Sequence, residues 1–213
     1  MKVEVWFDFV CPFCYLGERK FQLALEKFEH KEDVELIFRS FELNTEQTNA
    51  EGQSIHQIIA DKYQISYEKA KASNSRLGVA GKQVGLNFDF ENMKLNNTLL
   101  AHQITQFAKK TKKEHALILA LMKEYFEQGM NIGDEKALFQ IAEQCGLDMI
   151  SLKKELEDDG LLRKVREEEA EAFRRGIDTI PHFLFDGKYS IIGAEEESVF
   201  LNMLRKVYQE QNS

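Results

Sequence analysis

The chain has 213 residues, 43% of them apolar and 16 of them phenylalanine, enough for one large domain or a smaller domain carrying an insertion. A formal charge of −8 excludes a nucleic-acid binder, which needs a basic stripe to displace counterions. Three cysteines, two of them in one tight motif, exclude the disulfide framework of a secreted scaffold and point to catalysis or metal binding.

Taken in chain order, Val3 to Phe9 alternates Val3, Val5, Phe7 and Phe9 with Glu4, Trp6 and Asp8, which predicts a strand. A helix follows from Pro12, with Phe13, Leu16, Phe21, Leu25 and Phe28 at roughly helical spacing. Val34 to Leu43 is β-branched and aromatic and predicts a second strand, parallel to the first because a helix crosses between them. From Asn44 to Arg175 helical periodicity takes over: Ile55, Ile58, Ile59 and Tyr63, then Leu99, Leu100, Ile104 and Phe107, then Leu117, Leu121, Tyr125 and Phe126. Gly129, Gly133 and Gly146 read as helix stops, and Lys109, Lys110, Lys112 and Lys113 as a solvated helix end. In the charge-dense run Lys153 to Arg175 the acidic residues are expected on one solvated helix face. Pro181 to Phe185 and Tyr189 to Ile192 predict two strands joined by a tight turn at Asp186-Gly187, and Ser198 to Tyr208 a closing helix.

The order β-α-β, a long helical stretch, then β-β-α is that of an α/β thioredoxin-like fold with a large all-helical insertion. The expected division is residues 1–43 and 176–213 for the thioredoxin-like part and 44–175 for the insertion, which is expected to roof the site. Glu4 and Asp8 interrupt the first apolar stretch, so no export signal is read. No later segment has the uncharged length of a membrane span. The expectation is a cytoplasmic protein with no membrane and no nucleic-acid partner.

The chemistry concentrates at Cys11-Pro12-Phe13-Cys14. The thiolate is the reactive form of cysteine, and Cys11 falls where the first strand gives way to the first helix. Its sulfur there meets unpaired backbone N–H groups and the positive end of the helix dipole. Pro12 suits the first helical position, where its missing N–H has no partner to lose. Cys14, one turn in, is the less reactive partner, so Cys11 attacks a disulfide and Cys14 resolves the mixed disulfide. Zinc needs two more ligands; Cys145 and the scattered His30, His56, His102, His115 and His182 offer no second pair, so no metal is expected. Only two prolines exist, and the second, Pro181, opens the third strand, where proline is tolerated.

The segment Phe7-Asp8-Phe9-Val10-Cys11-Pro12-Phe13-Cys14-Tyr15-Leu16-Gly17 resembles the opening of the DsbA-like thioredoxin family, in particular its FrnE-like branch. Asn97-Thr98-Leu99-Leu100-Ala101-His102, Tyr125-Phe126, Ile180-Pro181-His182-Phe183 and Tyr189-Ser190-Ile191-Ile192-Gly193-Ala194 carry the likeness nearly end to end. The resemblance implies disulfide oxidoreductase chemistry and a cis Ile180–Pro181 bond facing the cysteine pair. It implies no cofactor beyond a redox-active disulfide, with protein or peptide thiols and disulfides as partners and glutathione as a possible co-substrate.

Two positions depart from the family pattern. Phe13 stands where many FrnE-like members carry tryptophan, which leaves the redox poise open. Val5 stands six residues before Cys11, where relatives often hold an acidic residue. Asp8 is nearer the motif, and two readings stand: a proton shuttle for Cys14, or a solvated strand-end aspartate. His182 is read either as a rim residue paired with the Cys11 thiolate or as a surface histidine. His102 is expected as a core or insert-interface histidine, and Cys145 as a buried small hydrophobe.

Two other functions remain open. The kappa-type glutathione transferases and the 2-hydroxychromene-2-carboxylate isomerases share this kind of fold, although they usually present serine where Cys11 stands. A non-catalytic adaptor on the same fold is the third reading.

Overall fold

In the computed structural model, which describes residues 1–46 and 53–212, β1 (Lys2–Phe7) is a central strand of a four-stranded sheet. The sheet runs β2 (Glu35–Ser40), β1, β3 (His182–Phe185), β4 (Tyr189–Ile192). β2 is parallel to β1, and β3 and β4 are antiparallel to their neighbours. Helix α1 (Pro12–Glu26) makes the crossover from β1 to β2, and α9 (Glu197–Gln211) closes the chain. The order of elements is the expected β-α-β, helical stretch, β-β-α.

Two compact units divide the chain: Met1–Leu43 with Arg163–Ser213, and Asn44–Leu162. Residues 47–52 of the expected insertion lie outside the described residues. The second boundary falls after Leu162 and not after Arg175, because most of α8 (Gly160–Arg174) is bound to the sheet. Trp6 Nε1 donates to the Glu168 carbonyl at 3.3 Å, and the Glu168 carboxylate accepts from Ser40 N at 2.8 Å and Arg39 Nη1 at 3.2 Å. Arg166 bridges Glu42 and Glu169, and Glu169 accepts from Glu42 N at 3.1 Å. The acidic residues of this run are therefore not one solvated face. Glu168 is buried against β2.

The two faces of the sheet follow from register. Val3 and Val5 of β1 stand opposite Phe185 and Phe183 of β3 on the face covered by α1 and α9. There Phe21, Phe183 and Phe200 pack with ring centroids 4.8–5.7 Å apart, a spacing at which aromatic pairs add to area burial. Glu4 and Trp6 point to the α8 face with Arg39 and His182. Paired on both sides and covered on both faces, β1 is buried from Val3 to Phe7 rather than half-buried as its alternation suggests. The Asp186-Gly187 turn has φ of 48° and 68°, both left-handed, which matches the twist of the β3–β4 hairpin.

Glu4 is a charge buried inside a sheet, and it stays because Arg39 meets it twice, at 2.5 and 3.0 Å, with Lys2 at 3.3 Å. Burial pushes the Glu4 carboxyl up, but the Arg39 hydrogen bond and charge, with Lys2, overcome that and hold it below its ordinary 4.5. The folded value being the lower one, this stabilisation is complete above pH 4.5 and is lost as pH falls through the folded value. Glu4→Gln is expected to cost about 1–2 kcal/mol at pH 7. In urea melts that deficit should shrink steadily below pH 4.5; a deficit constant with pH assigns the loss to packing instead.

The second unit has no strand among its described residues and holds the helices α2 (Ile55–Tyr63), α3 (Tyr67–Gln83), α4 (Leu99–Lys109), α5 (Glu114–Gln128), α6 (Glu135–Gln144) and α7 (Met149–Leu156). Ser54, Ser66, Asp134 and Asp148 cap α2, α3, α6 and α7 by accepting backbone N–H groups. Ile104, Leu117, Leu121, Tyr125, Phe126 and Leu138 form its core, where His102 is also buried. Gly129 and Gly146 follow α5 and α6, whereas Gly133 lies in the loop before α6. Cys145, expected to be buried, is half-buried as the C-cap of α6.

Candidate functional site

Cys11 is the N-cap of α1, with extended backbone (φ −90°, ψ 106°) and Pro12 at the first helical position. Its carbonyl accepts from Cys14 N at 2.9 Å and Tyr15 N at 3.4 Å, so the first turn closes on the cysteine's own backbone. No side chain caps the helix, and the N–H groups of its first turn face the Cys11 position. Cys11 and Cys14 are free thiols, 5% and 2% exposed, so burial alone does not distinguish them. Their surroundings do. Burial first, then the hydrogen bond and charge of Cys11, hold the Cys14 thiol well above its ordinary range. The Asp8 carboxylate adds to that shift, and a backbone hydrogen bond at Asp8 opposes it.

Asp8 lies beneath the pair and not in solvent. It is buried, its carbonyl accepts from Cys11 N at 3.2 Å, and Oδ2 accepts from Leu43 N at 2.8 Å. The solvated strand-end reading is thereby excluded.

The Ile180–Pro181 peptide is cis. It brings the Ile180 carbonyl to Cys11, whose Sγ donates to it at 3.9 Å, a weak thiol contact. The first helix and this segment meet without a gap at Gly17. A Cβ there would stand 3.1 Å from Pro181 Cγ and 3.4 Å from Ala194 Cα, so any larger residue would need the Pro181 ring to give by a few tenths of an ångström. Gly193 N donates to Pro181 O at 2.8 Å and fastens the end of β4 to the same segment. Phe13, between the cysteines, is 50% exposed and presents an apolar face beside the thiols.

His182 is neither a rim nor a surface residue. It is buried, its Nε2 shares a 2.8 Å hydrogen bond with Ser190 Oγ, and its ring stands edge-on to Trp6 on the α8 face. Burial pushes it below its ordinary 6.5, with the Asp178 charge opposing. The geometry thus brings together Asp8, Cys11, Pro12, Phe13, Cys14, Ile180 and Pro181, and engages His182 elsewhere. Gly17, Lys20 and Ser190 were not singled out as site residues by the motif. Gly17 stood inside the quoted segment, but its role depends on a contact with residues far away in the chain.

Among the described residues, no group of three or more His, Cys, Asp or Glu side chains is gathered to hold a metal ion. No helix among them is long and apolar enough to cross a membrane. Chemically, two buried thiols three residues apart at the start of a helix are of the kind able to close an intramolecular disulfide.

Residues 2–205 match the family model described as a DSBA-like thioredoxin domain. A curated relative, the YwbO protein of Bacillus subtilis (strain 168), is 27% identical over 200 residues, covering 93% of this chain and 92% of its own. The crystal structure of the probable DsbA oxidoreductase SCO1869 from Streptomyces coelicolor superposes with a TM-score of 0.91 and 31% identity, over 99% of this chain and 91% of that one. The cytosolic disulfide reductase DsbM from Pseudomonas aeruginosa shares the fold, with a TM-score of 0.67 and 11% identity over the whole of both chains. With the family model spanning the sheet, both cysteines and Pro181, the chain belongs to the DsbA-like thioredoxin-domain family.

Proposed function

We propose that the protein is a cytosolic thiol–disulfide oxidoreductase that exchanges disulfides with protein or peptide substrates through Cys11 and Cys14. The observation that carries this reading is the unequal setting of the two thiols. One stands at a helix start against the Ile180 carbonyl, and the other is buried with its proton held tightly.

The Cys11 thiolate attacks one sulfur of a substrate disulfide. A Cys11–substrate disulfide forms, and the other substrate sulfur leaves as a thiolate that takes up a proton. Cys14 then gives its proton to Asp8 and attacks the Cys11 sulfur. The Cys11–Cys14 disulfide forms and the second substrate thiolate leaves. The substrate gains two electrons, the pair loses two, and Asp8 passes its proton to solvent. Two thiol molecules of an external donor restore the dithiol. Glutathione is the donor to try first, since the structurally similar DsbM was solved with GSH. Phe13, exposed between the thiols, offers the apolar contact for a substrate chain.

The test is a redox titration of the Cys11–Cys14 pair against glutathione buffers, with free thiols trapped at each point. The expected result is a reversible two-electron couple. A midpoint of roughly −270 mV marks a reductase, and one of roughly −120 mV an oxidant. If no disulfide forms across that range, the exchange mechanism falls and glutathione-dependent transfer or isomerisation takes its place.

A further inference from the structure

Lys20 is a lysine that the exchange chemistry does not use, yet it is only 7% exposed. It lies on α1 one turn beyond Gly17. Its Nζ donates to the Ala194 carbonyl at 3.2 Å and meets Glu196 Oε1 at 2.6 Å. Burying an ammonium costs several kcal/mol, and a buried ion pair is often no more stabilising than an apolar residue of the same volume. Stability is therefore a poor reason for a lysine here, and what it grips supplies a better one. Ala194 follows Gly193, whose N–H holds Pro181 O at 2.8 Å; Pro181 in turn abuts Gly17 and follows Ile180, whose carbonyl accepts from Cys11 Sγ. The links form a closed loop from α1 through the 193–194 turn and the 180–181 segment back to the start of α1.

We infer that Lys20 is a positioning residue of the redox site. By fixing the Gly193–Ala194 turn to α1 it holds the Ile180–Pro181 segment, and with it the Ile180 carbonyl, against Cys11. This inference rests on the thiol–disulfide reading above. The Ile180 carbonyl accepts from the Cys11 S–H and finds no proton on a disulfide sulfur, so its placement tempers Cys11. Loosening the turn draws the carbonyl away from the Cys11 sulfur: it removes a hydrogen bond that only the dithiol form makes, which favours the disulfide, and it leaves the sulfur less restrained toward an electrophile.

The test compares Lys20→Met, which keeps the stem and volume and removes the ammonium, with the parent protein. Three quantities are read: thermal midpoint, the rate of Cys11 alkylation by iodoacetamide at pH 7, and the dithiol–disulfide equilibrium in glutathione buffer. The expected result is a thermal midpoint near the parent's, alkylation faster by about threefold or more, and an equilibrium moved toward the disulfide by a similar factor. Glu196→Lys sets a cation beside Lys20 at a position whose side chain is 77% exposed, so folding is not at risk. It should move both thiol readouts in the same direction. Thiol readouts matching the parent's in Glu196→Lys and in whatever Lys20→Met folds overturn the inference, leaving Lys20 a structural tether whatever the thermal midpoint. A parent protein that forms no reversible disulfide fails the functional reading itself, a different outcome from a parent that cycles normally and variants that cycle identically.

Discussion

Cys14→Ser is expected to accumulate as a mixed disulfide with its substrate, whereas Cys11→Ser forms no adduct at all. Both variants should lose turnover by at least about 10³-fold, since neither can complete an exchange that needs two sulfurs. The asymmetry between them comes from position, not exposure, because the two thiols are almost equally buried. Cys11 is the N-cap residue of α1, at the junction of strand and helix and against the Ile180 carbonyl. Cys14 is held in its protonated form by burial and by Cys11 itself, so it is a poor first nucleophile. Once Cys11 is tied up in a mixed disulfide, that neighbouring charge is gone and Cys14 is freed to attack. Non-reducing electrophoresis and mass spectrometry of each variant, incubated with a disulfide-bonded peptide, read the result directly. Adducts on Cys11→Ser and none on Cys14→Ser would reverse the assignment of roles.

The redox pair was legible because all its determinants are local. A strand, a C-x-x-C with proline at the first helical position, and a helical apolar repeat occupy some twenty consecutive residues, and α1 starts at Pro12 as they dictate. The hairpin was legible for the same reason, since Asp186-Gly187 supplies the two left-handed residues its turn requires. Strand ends were less so. Phe9 and Phe41 to Leu43 have strand composition but leave the sheet, because Leu43 N turns to the Asp8 carboxylate where the chain bends toward Cys11. Composition has no way to register that competing hydrogen bond.

The long-range parts were illegible on principle. Glu168 reads as a charge on a solvated helix face and is instead turned inward by Ser40, more than a hundred residues away; nothing in the sequence marks Lys20, whose partner Ala194 is as distant. Helical periodicity sorts apolar from polar faces, but it does not mark which polar side chain has a buried partner. The boundary after Leu162 follows from the same blindness: α8 continues the helical pattern of the insertion while its carboxylates close the edge of β2. His182 shows the opposite error. Its neighbour Pro181 suggested the site, but period-two alternation in β3 sends the next side chain to the other face, with Trp6 and Ser190.

Asp8→Asn is expected to slow resolution of the mixed disulfide by about 10²-fold near pH 7, with little change in the first attack by Cys11. Two effects of the substitution oppose each other. Removing the carboxylate takes away the acceptor for the Cys14 proton. It also takes away a negative charge that helps to hold that proton on sulfur. The second effect comes after burial and Cys11 among the causes that hold the Cys14 proton, while a positioned base is ordinarily worth about 10²–10⁴ in rate. Loss of the base therefore wins. Asparagine keeps an oxygen for Leu43 N, so the bend after β2 should survive and the fold with it. The pH dependence separates chemistry from damage. In the variant, Cys14 must lose its proton to solvent, so resolution should climb with pH toward the raised Cys14 value, about tenfold per unit. In the parent the rise should be shallower, because the carboxylate takes the Cys14 proton directly. Stopped-flow measurement of release from a preformed Cys11 mixed disulfide gives both profiles, and superimposable curves would remove Asp8 from the mechanism.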